Sequence, residues 1–153
     1  MDIFDVNWLA QLEAAVKVTI AAILGGVIGL ERENLGKPAG LRTHAMLAAA
    51  VTLIVTLTGA LINHFDDATP SAVLRVDPVR VIEAVVTGVA FLGAGTIFRH
   101  HGEDVVEGLT TAASMFLVAA IALAVALEQL LAALLVTALS LALLRALARW
   151  TKD

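Results

Sequence analysis

Residues Ala45–Ile62 read AMLAAAVTLIVTLTGALI, 18 positions without a charge. A hydrocarbon core about 30 Å thick is crossed by about 20 apolar residues in helical form, so this stretch has the length of a membrane helix. A helix of a soluble bundle would repeat polar residues every 3.6 positions along the side that meets water, and no such stripe recurs here. The same reading extends to Leu109–Leu127, with 19 uncharged residues, and to Gln129–Leu144, with 16. Arg145 can lengthen the last run by snorkelling to the interface. Ala14–Leu30 and Val81–Phe98 are less pure, carrying Lys17 and Glu83. Five helices are therefore expected, at about 12–33, 41–63, 78–98, 109–127 and 129–149, in an all-α membrane bundle.

The whole chain agrees. Its 153 residues are 59% hydrophobic and 16% charged, and its mean hydropathy is +0.91. A soluble domain is about 45–50% apolar and about 25% charged, so water would find too little polar surface here. The absence of cysteine excludes disulfides, zinc ribbons and thiol chemistry. A formal charge of −4 argues against nucleic acid as a partner, because that ligand calls for a basic footprint. Met1–Gln11 holds Asp2 and Asp5 and no basic residue, so the first span is expected to be retained rather than cleaved as a secretory signal.

Basic residues orient the bundle. With the first end outside, Arg32, Lys37, Arg42, Arg99, Arg145, Arg149 and Lys152 fall inside and only Arg75 and Arg80 outside, seven against two. Cytoplasmic loops retain the excess of Lys and Arg, so N-out and C-in is expected. Gly36-Lys37-Pro38-Ala39-Gly40 must end one helix before Leu41 starts the next. Asp77-Pro78 reads as an N-cap and first helical residue. Thr110 or Thr111 is expected to cap the fourth helix, and a short turn at Glu128 makes an antiparallel hairpin of the last two. The segment from Asn63 to Asp77 reads as a connection that lies along the interface.

Small residues mark helix contacts in lipid. Gly25 and Gly29 are spaced as GxxxG, Ala48, Thr52, Thr56 and Ala60 recur every four positions, and Gly88, Gly93 and Gly95 make the third helix look central. Packing within the monomer is the simpler use of these faces, and a homo-oligomer is the alternative.

Charge within the membrane needs a reason. Glu83 lies about 1.5 turns into the third helix, where it either pairs with Arg80 or faces the bundle as an ion or proton relay. Lys17 is expected to snorkel to the outer surface. Glu31, Arg32 and Glu33, then Arg42, Thr43 and His44, then Arg99, His100, His101, Glu103, Asp104 and Glu107 share the inner face. Those clusters either pair among themselves or form a docking or cation site. Mg²⁺ takes one or two protein carboxylates and fills its octahedron with water. Glu31 or Glu33 beside Glu107 could supply them, against competition from Arg32, Arg42 and Arg99. His100 and His101 with Glu103 could hold a transition metal, or simply be solvated. No nucleophile–base pair, phosphate loop or HExxH spacing occurs, so an enzyme is not expected and no cofactor is implied beyond Mg²⁺.

Gly29-Leu30-Glu31-Arg32-Glu33 and Lys37-Pro38-Ala39-Gly40-Leu41-Arg42-Thr43-His44 together resemble the signature of the MgtC/SapB family of bacterial inner-membrane proteins. Asp77-Pro78-Val79-Arg80, the run GVAFLGAGTIFR from Gly88 to Arg99, and GLTTAAS from Gly108 to Ser114 continue the resemblance in order over residues 29–114. It implies a five-helix membrane domain over residues 1–153, in proteins linked to growth at low Mg²⁺ and to survival of some pathogens inside macrophages. Members similar to MgtC itself restrain the F-type ATP synthase rather than carry Mg²⁺. Virulence-associated members add a soluble ACT-like domain after the membrane part; this chain reads as the membrane part alone, so that domain's role is not expected of it.

On the resemblance, Glu31, Arg32, Glu33, Lys37, Pro38, Gly40, Arg42, Thr43, His44, Asp77, Pro78, Arg80, Glu83, Gly88, Gly93, Gly95, Arg99, Gly108, Thr110 and Thr111 are the expected functional positions. The weak metal candidates are Glu31, Glu33, Glu83 and Glu107. Between the two polar ends the helices offer little but Thr52, Thr56, Thr87, Thr96 and Ser114. That sparse lining favours a regulator working through a membrane protein partner, with a cation transporter or its accessory as the alternative.

Overall fold

The computed structural model describes residues 8–68, 77–99 and 106–150, apart from the side chains of 63–68, 99 and 147–150. Readings placed on Arg75, His100, His101, Glu103, Asp104, Arg149 and Lys152, and on the side chain of Arg99, lie outside the described residues. Five helices follow in order: α1 (Trp8–Asn34), α2 (Leu41–Ala68), α3 (Pro78–Ala94), α4 (Leu109–Ala126) and α5 (Leu130–Trp150). Three are long and apolar enough to cross a membrane: α1, α2 over Leu41–Ile62, and α4. The apolar part of α5 is Leu130–Ala146, and α3 has 17 residues, about 25 Å at 1.5 Å per residue. The chain is an all-α membrane protein.

Each boundary has a local cause. Gly36 adopts φ +65° after α1, and Leu35, Gly36 and Lys37 turn back to the carbonyls of Arg32 and Glu33. The Asp77 carboxylate accepts from the Val79 N–H at 3.0 Å with Pro78 as first helical residue, as the sequence predicts. Between α4 and α5, Glu128 takes the left-handed conformation usual for a glycine at a helix end (φ 63°), which makes the turn as tight as expected.

Four expectations are corrected. First, α3 stops at Ala94 rather than near Phe98. Thr96 and Ile97 bond back to Gly93 and Ala94, and the chain continues into a two-stranded antiparallel ladder, β1 (Phe98–Arg99) on β2 (Val106–Glu107). Glycines at 93 and 95 weaken the helix just where the apolar run goes on. Second, α2 continues through the polar residues after Ile62 to Ala68, because polarity ends a membrane span without ending helical hydrogen bonding. Third, no threonine caps α4: Gly108 holds that place with φ +90° and no side-chain bond. A side chain at Gly108 would run into the Thr96 carbonyl, so α4 gives up a cap to let the chain pass.

Fourth, the central helix is α4, not α3. Thr111, Ser114, Met115, Val118, Ala119, Ile121, Ala122 and Val125 are all buried in α4, which touches each of the other four helices, whereas α3 buries only Val85, Val89 and Gly93. A helix apolar on every side belongs inside, and α4 is that helix. The glycines of α3 are spent otherwise: Gly93 rests on Ala112, Gly95 ends the helix, and Gly88 faces open space.

The small residues of α1 serve packing within the monomer. Where a Cβ would stand on Gly25, the His44 carbonyl and the Ala48 methyl lie at 2.7 and 2.8 Å; on Gly29, the Gly40 carbonyl lies at 2.6 Å. The first two helices thus meet backbone to backbone. In α2, Ala48 and Thr52 are buried, and Thr52 Oγ1 donates to the Ala122 carbonyl of α4 at 3.1 Å.

Candidate functional site

The α1–α2 turn, the start of α4 and the β1–β2 ladder come together at one end of the bundle. Residues that hydropathy alone assigns to an interface are buried there. Glu31 and Arg32 are 7% and 3% exposed, and Arg32 Nε donates to Glu31 Oε2 at 2.7 Å. Two buried charges in contact offset each other's desolvation, so each makes the other tolerable. Beside them Glu33 reaches over the turn, and its Oε2 accepts from the Leu41 N–H at 2.8 Å. It is the cap of α2, supplied from eight residues upstream.

His44 is wholly buried one turn into α2. Its Nδ1 lies 3.0 Å from the Gly40 carbonyl, which can only accept, so Nδ1 carries a proton. Its Nε2 lies 3.0 Å from Ser114 Oγ, and that hydroxyl also reaches the Thr111 carbonyl at 2.8 Å. In the neutral ring Nε2 is the acceptor, so the Ser114 proton serves two acceptors at once. This bridge joins α2 to α4, and sequence reasoning missed Ser114 as its second half. The signal was available in a buried-type histidine and a serine within the apolar α4, but their separation of 70 residues hides the pairing.

The other candidates divide cleanly. Lys37, Pro38, Arg42, Thr43, Thr110 and Glu107 are exposed at this same end. Asp77, Arg80 and Glu83 lie toward the opposite end, where α3 begins, and all three are exposed. Arg80 and Glu83 do not form the expected pair; neither side chain makes an ion pair or side-chain hydrogen bond among the described residues. Of the metal candidates, Glu31 holds Arg32, Glu33 caps α2, Glu107 is exposed on β2 at the same end, and Glu83 lies toward the other end. Among the described residues no three His, Asp or Glu side chains gather as a metal site.

Lys17 is not a lone snorkelling cation. Its Nζ contacts Glu13 at 2.6 Å and Glu128 at 2.9 Å, tying α1 to the α4–α5 turn.

An apolar helical bundle knotted at one end by a buried ion pair and a histidine–serine bridge defines a small helical membrane protein. The chain belongs to the MgtC family, whose profile matches residues 18–152. It is 40% identical to an uncharacterised protein of Haemophilus influenzae over 108 residues, 71% of this chain and 44% of that one. SapB of Bacillus subtilis is 35% identical over 118 residues, 77% of this chain and 49% of SapB. YhiD of Escherichia coli (strain K12), provisionally named a magnesium transporter, is 40% identical over 115 residues, 74% of this chain and 50% of YhiD. The chain thus spans about half the length of these curated relatives. No solved structure matches it significantly.

Proposed function

We propose that this is a multi-pass protein of the bacterial inner membrane that regulates a larger membrane complex, of ATP-synthase or transport type, during Mg²⁺ limitation or stress. One observation carries the reading: between the two polar ends the helices hold little but scattered hydroxyls, and most of these serve the helices themselves. Thr56, Thr58, Thr87, Thr137 and Ser140 each donate to a carbonyl of their own helix four residues back, and Thr52 donates to α4. A conducting path needs oxygen ligands spaced along its length to replace an ion's water, and a few isolated hydroxyls on separate helices do not line one. The signature residues not consumed by the fold, Lys37, Arg42 and Thr43 among them, are exposed at the α1–α2 turn, where a partner could meet them.

The name given to YhiD favours a second reading, transport of Mg²⁺, in which Glu83 would be a stepping point. Reconstitution into liposomes enclosing a Mg²⁺ reporter separates the two. The regulator reading expects uptake no faster than in protein-free liposomes, and slower ATP-driven proton pumping when the chain is co-reconstituted with an F-type ATP synthase. Robust uptake that Glu83→Gln abolishes would overturn it.

A further inference from the structure

Because α3 leans on α4 and only lightly on α2, a cleft of about 680 Å³ opens between α2 and α3. Its walls are Leu47, Val51 and Ile54 on one side and Ala84, Val85 and Gly88 on the other. Gly88 keeps it wide, for nothing lies within 4 Å of where its Cβ would be. Two charged residues line it, Asp77 and Arg80, both where α3 begins. The Arg80 guanidinium has no partner among the described residues, and Asp77 spends one carboxylate oxygen on the Val79 N–H, with no bond to the other among the described residues.

We infer that this cleft holds one phospholipid with a phosphoethanolamine head, its acyl chain between α2 and α3, its phosphate on Arg80 and its ammonium on Asp77. An apolar trough closed at one end by charges of opposite sign, three residues apart, is complementary to a zwitterionic amphiphile. Arg forks onto phosphate oxygens, and the carboxylate takes the amine. The volume lies within the range of small-ligand sites, about 300–1,000 Å³. The inference is independent of the regulatory reading, since a lipid can sit here whichever partner the other end meets.

Native mass spectrometry of the full chain, released from nanodiscs of equal phosphatidylethanolamine, phosphatidylglycerol and phosphatidylcholine, tests it. One phosphatidylethanolamine per protein is expected, about tenfold enriched over the other two. Arg80→Gln should abolish the enrichment. Asp77→Asn keeps the helix cap, since Asn caps as well as Asp, and should erase the preference for ethanolamine alone. Gly88→Leu fills the trough from open space and should displace the lipid while circular dichroism shows the helices intact. Lipid bound in bulk proportions, retention unchanged in Arg80→Gln and Gly88→Leu, or equal binding of phosphatidylglycerol that Asp77→Asn leaves untouched would each overturn the inference. So would a dimer with the cleft at its interface.

Discussion

Four glutamates of one chemical type meet four fates. Glu31 is buried against Arg32, Glu33 caps a helix, Glu107 is exposed on β2, and Glu83 is exposed on α3. Only the first is electrostatically committed in a place without water. Removing one member of such a pair strands the other, whereas removing both leaves an apolar contact. Arg32→Met should therefore destabilise the protein by about 3–5 kcal/mol, and Glu31→Leu with Arg32→Met by far less. Thermal unfolding of the two variants in one detergent, followed by circular dichroism, measures the difference. If the double variant is as damaged as the single, the pair is not what matters. Metal coordination by Glu31 would predict the opposite order, since Arg32→Met would free the carboxylate. The sequence singles out this glutamate but places it at a wet interface. Hydropathy counts a charge as polar wherever it stands, and only the fold reveals that α2 covers it.

At the scale of elements, the α1–α2 hairpin is a contact of backbones. Gly29 stands against the Gly40 carbonyl and the Leu41 Cα, neither of which can rotate away as a side chain would. Gly59 in α2 has nothing within 4 Å. Gly29→Ala should cost about 1–3 kcal/mol by forcing the turn apart, and Gly59→Ala should leave stability unchanged or slightly raised. Comparing their melting midpoints checks this; equal midpoints would mean that the hairpin does not depend on close approach. The GxxxG spacing was readable, and so were the breakers that end α1 and the Asp77-Pro78 start of α3, because each is a local rule written in adjacent residues. What could not be read obeys no local rule. Whether Gly88 packs or lies open depends on how α3 sits against its neighbours, and a ladder of two residues per strand carries no periodicity to detect. The centrality of α4 was the missed inference that the sequence did contain. Its unbroken apolarity outweighed the glycines of α3, which turn out to serve a cleft and a helix end.

For the molecule as a whole, the helices sort the charges into two ends. The α1–α2 turn, the start of α4 and the far end of α5 share one end; the start of α3 and the α4–α5 turn share the other, where the contact of Lys17 with Glu128 ties the start of α1 to that turn. By sequence the first end collects Arg32, Lys37, Arg42, Arg99, Arg145, Arg149 and Lys152, and the second only Arg75 and Arg80. Lys17 does not alter this balance, since two carboxylates hold it. Lys and Arg near the ends of spans resist translocation, which predicts that the basic end faces the cytoplasm. Green fluorescent protein fused after Asp153 should then fluoresce, while alkaline phosphatase at the same place stays inactive. Alkaline phosphatase inserted in the α4–α5 turn should give the reverse, because that turn is at the other end of the bundle. An active phosphatase at the C-terminus would invert the bundle. It would then put the Asp77–Arg80 end in the cytoplasmic leaflet and the exposed Lys37, Arg42 and Thr43 outside, where a partner would have to approach from the opposite face of the membrane.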